Sequence, residues 1–159
     1  MKFECETIGV IHTPFNTLEN MPIQPIVGEG IEGEVIVNPE LVAGLKDLDK
    51  FSHIYLLWQL HAAGESHLEV VPYLDGEKRG VFATRAPARP TGIGLSLVRL
   101  LAVDGNRLKI CDVDMLDGTP LLDIKPYVPK FDDRLDATTG WLSASHTEIM
   151  KKRSDSRFA

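Results

Sequence analysis

Arginine presents a planar fork of donors matched to a carboxylate or a phosphate, and two of them, Arg85 and Arg89, stand in one short stretch, ATRAPARPTGIGLS at 83–96. Pro87 and Pro90 fix their own φ and press the residues before them toward extended geometry, while Gly92 and Gly94 permit conformations closed to other residues. The loop is therefore shaped, and anion recognition is the chemistry it suits. The same composition also suits a surface turn carrying two solvated arginines, and the stretch taken alone leaves both readings open.

A second stretch, DGTPLLDIKPY at 117–127, sets a tight turn at Asp117 and Gly118 ahead of an apolar pair, then an acid, a lysine and a tyrosine. RAPARPTGIGLS followed by DGTPLLDIKPY resembles the paired signature of the TsaA-like family, the TrmO-type tRNA methyltransferases that use S-adenosylmethionine. IGVIHTPF, MPIQP and FSHIYLLWQLH extend the resemblance over most of the chain up to Phe131. One departure is visible: the family carries Asn then Pro where this chain has Thr91 and Gly92.

What the resemblance implies can be stated residue by residue. Pro22, Ile23, Gln24, Leu60, His61, Arg85, Leu95, Asp117, Gly118, Thr119 and Pro120 match positions beside the S-adenosylmethionine cofactor. Arginine beside a sulfonium would repel it, so Arg85 is expected at a carboxylate or phosphate, with backbone groups of Asp117 to Pro120 on the adenine edge and Leu95 over its face. The implied substrate is N6-threonylcarbamoyladenosine next to the tRNA anticodon, whose N6 is a poor nucleophile until its proton leaves. Asp123 and Tyr127 are the candidates for taking that proton or orienting the base, although Asp123 could equally pair with Lys125. Arg89, Lys125 and Lys130 are the candidate contacts to the RNA substrate.

The elements that must position these residues read as strands. Thr7 to Thr13, His53 to His61, Leu68 to Tyr73, Val81 to Thr84, Ile93 to Val103 and Arg107 to Val113 are rich in Val, Ile and Leu and are bounded by turn residues. Asp75 with Gly76, and Asp104 with Gly105 and Asn106, are hairpin signals, the second supplying the positive φ angles that tight connections need. HIYLLWQLH is apolar on both faces, as a well-covered strand requires. Gly28, Gly30 and Gly33 invite a dinucleotide fold, but the strand-like EVIV follows them where a helix is needed. Short helices are expected after Asn38 and Pro39 and over Ser143 to Arg153. The chain is thus mainly β with a few short helices. The resemblance specifies a small single-sheeted β-barrel, not a Rossmann methyltransferase; strand counting by itself leaves barrel and sandwich open.

The length of 159 residues and 43% apolar content suit one domain over 1–159, with a core at about 5–131 and a loop and helical tail over 132–159. Cys5 and Cys111 belong to no metal-binding spacing, so no metal is expected, and no run has the length of a signal peptide or a membrane span, so a cytoplasmic protein is expected. A net charge of −6 is the wrong sign for a nucleic-acid binder, leaving a local basic face as the requirement for tRNA. Lys151, Lys152 and Arg153 could join Lys125 and Lys130 in it, and a helix end so far along the chain is expected to have no part in the cofactor loops. The resemblance implies a homodimer, which doubles the basic surface. Two other readings fit the same residues: a module that binds S-adenosylmethionine without methylating RNA, and a methyltransferase for another small substrate.

Overall fold

The structure, a computed structural model, describes residues 4–158, so the first three residues of the N-terminal stretch considered above lie outside it. Six strands close into a barrel: β1 (Gly9–His12), β2 (Glu32–Val37), β3 (His53–Gln59), β6 (Ile93–Asp104), β7 (Arg107–Cys111) and β8 (Thr119–Pro126). The order around the barrel is β1-β2-β7-β6-β3-β8, and every neighbouring pair is antiparallel. A separate ribbon pairs β4 (Glu69–Val70) with β5 (Arg79–Gly80). Closure leaves the barrel strands no free edge, and it excludes the Rossmann alternative.

Period-two alternation sends Ile11, Val35, Val37, Ile54, Leu56, Val98, Leu108, Ile110 and Leu121 inward, where each is at most 2% exposed. The registers Ile54 with Val98 and Leu56 with Ser96 hold one inward layer. Trp58 stands opposite Gly94, where an added Cβ would lie 2.4 Å from the indole, so the missing side chain is the space the ring occupies. Between Asp104 and Arg107 the hairpin turns on Gly105 at φ 57°; Gly105 alone carries the positive φ, as a turn with glycine at its first central position requires.

Several expected elements are shorter. Leu68 to Tyr73 contributes only Glu69–Val70, because Pro72 has no ladder hydrogen to offer. Val81 to Thr84 is a 3₁₀ turn over Val81–Ala83, closed by the Thr84 hydroxyl donating to Val81 O at 2.9 Å. After Asn38, Pro39–Leu45 is 3₁₀, and the chain turns at Asp47 with φ 67° before a regular helix can propagate. The segment Ser143 to Arg153 yields α2 (His146–Lys151), opened by a capping box between Ser145 and Glu148 and stopped where Lys152 becomes extended; α1 (Pro129–Asp132) is a single turn.

Candidate active site

Alternation of direction around the barrel decides which loops meet. Strands β1, β3 and β7 run toward one end and β2, β6 and β8 run away from it. The connections 13–31, 60–92 and 112–118 are therefore gathered at that end, and these carry MPIQP, RAPARP and the start of DGTP. Gln24 and Arg85, distant in sequence, meet there: Arg85 Nη1 donates to Gln24 Oε1 at 2.6 Å.

The Arg85 loop is held by its small residues. Ala86 and Ala88 are 7% and 3% exposed and pack with Val70, Val81 and Phe158 in a satellite core, which turns Arg85 outward. Arg89 is part of the frame, its Nη1 donating to the carbonyls of Thr84 at 3.1 Å and Ala86 at 3.2 Å. Gly92 has φ 59°, a region closed to proline, and its N–H donates to Arg89 O at 3.2 Å, so the corner follows a path that the family's proline could not. Leu60 N–H donates to Gly92 O at 2.8 Å, tying the end of β3 to this corner, with His61 exposed beside it.

In the third loop, Gly118 turns at φ 75° and Thr119 is fully buried, its hydroxyl donating to Leu116 O at 2.7 Å. Asp117 Oδ1 accepts from Thr13 N–H and from His12 Nδ1, both at 3.0 Å, and these two bonds, the backbone one first, hold its carboxyl below the ordinary range. Pro120 pairs with Val10 at the start of β8. Thus Asp117 uses its side chain to build the turn.

The MPIQP loop is braced from an unexpected quarter. Pro22 forms an antiparallel bridge with Arg153, and Ser154 clasps the preceding residues: Met21 N–H donates to Ser154 Oγ at 2.8 Å, and Ser154 Oγ donates to Leu18 O at 2.7 Å. The C-terminal segment therefore does reach one of the loops expected to hold the cofactor, contrary to the expectation from its sequence position, because a bridge depends on spatial and not sequential neighbourhood. Ile23 is half-buried in the same loop.

The remaining candidates lie elsewhere. Leu95 points outward from β6, opposite Leu57, and is 49% exposed. Asp123 stands on the same outer face of β8, its Oδ2 paired with Lys125 Nζ at 2.8 Å. Eight residues of β8, roughly 23 Å of strand at 3.3 Å per residue, carry the chain away from the signature loops to Tyr127 and Lys130. The Tyr127 hydroxyl donates to Asp133, which pushes its pKa to about 12 and makes it a poor base near neutrality. Arg85 still exerts a field in this direction: burial and then Asp132 raise the pKa of Tyr55, and Arg85 opposes them.

One residue at the gathered end had no signal in spacing or motif. Asp114 accepts the Ser96 hydroxyl at 2.6 Å, and Ser96 in turn accepts the Trp58 indole N–H at 3.0 Å. Burial pushes the Asp114 carboxyl up to about 7, against the Ser96 hydrogen bond and the Arg85 charge, which both lower it. An open groove of about 620 Å³ runs along β2 and β7, where Arg107 is paired with Glu34 at 2.7 Å and Lys109 with Glu32 at 3.0 Å, and it reaches His12 and Thr13, the partners of Asp117.

The profile of the tRNA-methyltransferase O N-terminal domain matches residues 10–133, a span that contains all three gathered loops. The chain belongs to this family. It is 54% identical over 151 residues to a "Probable S-adenosyl-L-methionine-binding protein" of Pyrococcus abyssi, covering 95% of this chain and 82% of that one. It is 36% identical to the tRNA (adenine(37)-N6)-methyltransferase of Homo sapiens over 80% of this chain, which is 30% of the human protein. The crystal structure of TrmO from Pseudomonas aeruginosa superposes with a TM-score of 0.75 at 38% identity, covering 89% of this chain and 63% of that one. The chain thus spans less than two thirds of these methyltransferases, and the barrel is the part shared.

Proposed function

We propose that this family member is an S-adenosylmethionine-dependent tRNA methyltransferase acting on N6 of the adenosine at position 37, with N6-threonylcarbamoyladenosine as the substrate form. The observation that carries the reading is the Gln24–Arg85 contact at 2.6 Å, which joins two family signature loops beside the third at one barrel end. The chemistry of that end fits the cofactor. An outward guanidinium suits its carboxylate, and the backbone of the turn at Asp117 to Pro120 suits the adenine edge. Bound there, S-adenosylmethionine supplies an electrophilic methyl group. The chain's own work is then to orient the two reactants and exclude water, without a covalent nucleophile. Likeness to proteins named as tRNA (adenine(37)-N6)-methyltransferases supports the acceptor.

A homodimer is part of this reading. Leu95 and Ile93, 49% and 42% exposed on the outer face of β6 beside Leu57, give it an apolar surface to bury. A second reading, cofactor binding without RNA methylation, draws on the net charge of −6 and on likeness to archaeal proteins named only for binding S-adenosyl-L-methionine. Labelled S-adenosylmethionine with total tRNA from cells with and without the threonylcarbamoyl modification separates them. Label should enter only the modified tRNA; equal labelling of both pools overturns the substrate form, and retention of cofactor with no labelled RNA overturns methylation.

A further inference from the structure

Three acids lie in the loop between β7 and β8, and their surroundings differ. Asp112 is held by Arg99, at 2.8 Å to Nε and 3.2 Å to Nη2, and by Gly30 N–H at 2.8 Å. Asp117 is committed to Thr13 and His12. Asp114, between them, has no basic side chain in contact among the described residues, and Ser96 is the one side chain that donates to it. The Ser96 hydroxyl has little freedom. Ser96 is 1% exposed inside the barrel, and the Trp58 indole occupies its acceptor side, so its single proton is directed at Asp114 Oδ1. That relay fixes the carboxyl and leaves its other oxygen without a side-chain donor. Asp114 is half-buried as a residue and lies in the 112–118 connection, at the end where the signature loops gather.

We propose that Asp114 is the general base of this site, taking the proton from the exocyclic N6 of the adenosine presented at this end of the barrel, with Ser96 and Trp58 as the residues that position it. The proposal rests on the methyltransferase reading above. In the step, the N6 lone pair forms the new N–CH3 bond as the C–S bond breaks with its electron pair left on sulfur, and the N6 proton passes to the Asp114 carboxylate. Charge and atoms balance without another reactant. The alternatives at hand are weaker: Tyr127 donates to Asp133, and Asp123 is paired with Lys125 on the outer face. A carboxyl raised to about 7 accepts protons near neutral pH with more driving force than an ordinary one, and it remains half-ionised there. Arg85 is the charged group acting on it from the loops packed opposite, Asp112 and Asp117 being held by their own partners.

The test combines single-turnover methylation, cofactor binding and direct titration. In the cofactor-free protein, carbon NMR of the Asp114 carboxyl should titrate near 7; a midpoint near that of ordinary carboxylates overturns the proposal. The parent's single-turnover rate should climb through the same midpoint. Asp114→Asn, nearly isosteric, should lower that rate by about 10²–10⁴-fold while leaving S-adenosylmethionine affinity within about twofold. Ser96→Ala should move the rising limb to higher pH, because the hydrogen bond it removes is one that lowers the Asp114 pKa; it also carries the test if Asp114→Asn does not fold. An Asp114→Asn variant with the parent's rate and pH profile, or one that loses cofactor affinity at an unchanged rate, overturns Asp114 as the base and leaves the methyltransferase reading standing. A parent that transfers no methyl group to tRNA overturns that reading and this proposal with it.

Discussion

Arg85 and Asp114 illustrate how far one side chain's surroundings determine its use. Arg85 is exposed yet anchored through Gln24, so its fork is set in direction without being neutralised. Arg85→Ala should weaken S-adenosylmethionine binding by about 1.5–3 kcal/mol, the range for a hydrogen bond to a charged group, as read by calorimetry on the folded variant. Undiminished affinity would remove this arginine from the cofactor site. For Asp114 the sign of the stability effect follows from its raised pKa. The proton binds the folded state more tightly than the unfolded one, whose carboxyl titrates near the ordinary value of 3.8, so the stabilising contribution is complete below that pH and is lost as pH rises through about 7. Asp114→Asn lacks this titration. Chemical denaturation at pH 8 should find the variant more stable than the parent, and at pH 4 the advantage should vanish. The size of the advantage is roughly 1.4 kcal/mol for each tenfold difference in proton affinity between the folded and unfolded carboxyl.

At the scale of elements, the tail beyond residue 133 matters more than its place outside the matched family span suggests. Ser154 joins the MPIQP loop through its backbone and its hydroxyl, with Asn20 N–H donating to Ser154 O at 3.0 Å and Ser154 N–H to Met21 O at 2.9 Å. Phe158, 9% exposed, closes the satellite core that also holds Ala86 and Ala88. One short segment therefore fixes both Gln24 and Arg85 by packing and hydrogen bonding at a distance from either. Ser154→Ala leaves Met21 N–H without its acceptor, and should cost about 1–3 kcal/mol of stability and raise the S-adenosylmethionine Kd several-fold. Thermal denaturation with and without cofactor checks both. Wild-type affinity in the variant would show that the backbone bridge between Pro22 and Arg153 suffices.

For the whole molecule, partner surfaces are what remain to be assigned. If the outer face of β6 pairs with a second copy, Leu95→Glu should convert a dimer to a monomer in light scattering, because a charge buried at an isologous interface meets its own copy. A parent that is monomeric at micromolar concentration and fully active removes the dimer from the proposal. Of the six candidate RNA contacts, Arg89 and Arg153 donate to backbone carbonyls, Lys125 is paired with Asp123 and Lys152 is half-buried with its charge acting on Asp155, whereas Lys130 and Lys151 are exposed and form no ion pair with another described residue. Those two lysines are thus the more available to phosphate. tRNA binding should weaken with salt at a log–log slope of roughly −0.7 to −0.9 per phosphate neutralised, and Lys130→Ala should reduce the slope by about one contact. An unchanged slope places the RNA elsewhere.

Residue patterns alone were enough for β1, β3, the strand-like EVIV of β2 and the β6–β7 hairpin, and the resemblance marked the paired signature stretches, whereas β8 (Thr119–Pro126) lay inside a stretch read for its turn, apolar pair and polar residues but not as a strand. Alternating apolar side chains, Gly105 in its turn and the Pro and Gly of the Arg85 loop act over a few neighbouring residues, so they are written locally. The barrel's closure, the meeting of Gln24 with Arg85 and the separation of Tyr127 from Asp117 along β8 depend on which strands run toward which end, a property of the closed sheet. Of the expected strands near Pro72 and Val81, the first keeps only the two residues that pair with β5 and the second is a 3₁₀ turn, because a strand needs a ladder partner that its own residues do not specify. Asp114 gave no sequence signal because an acid in CDVDMLDG looks the same as its neighbours until Ser96 and Trp58 are brought to it from two other strands. Nor could the tail's position foretell its bridge to Pro22, since hydrogen bonds across more than a hundred residues form only after the barrel has placed both ends.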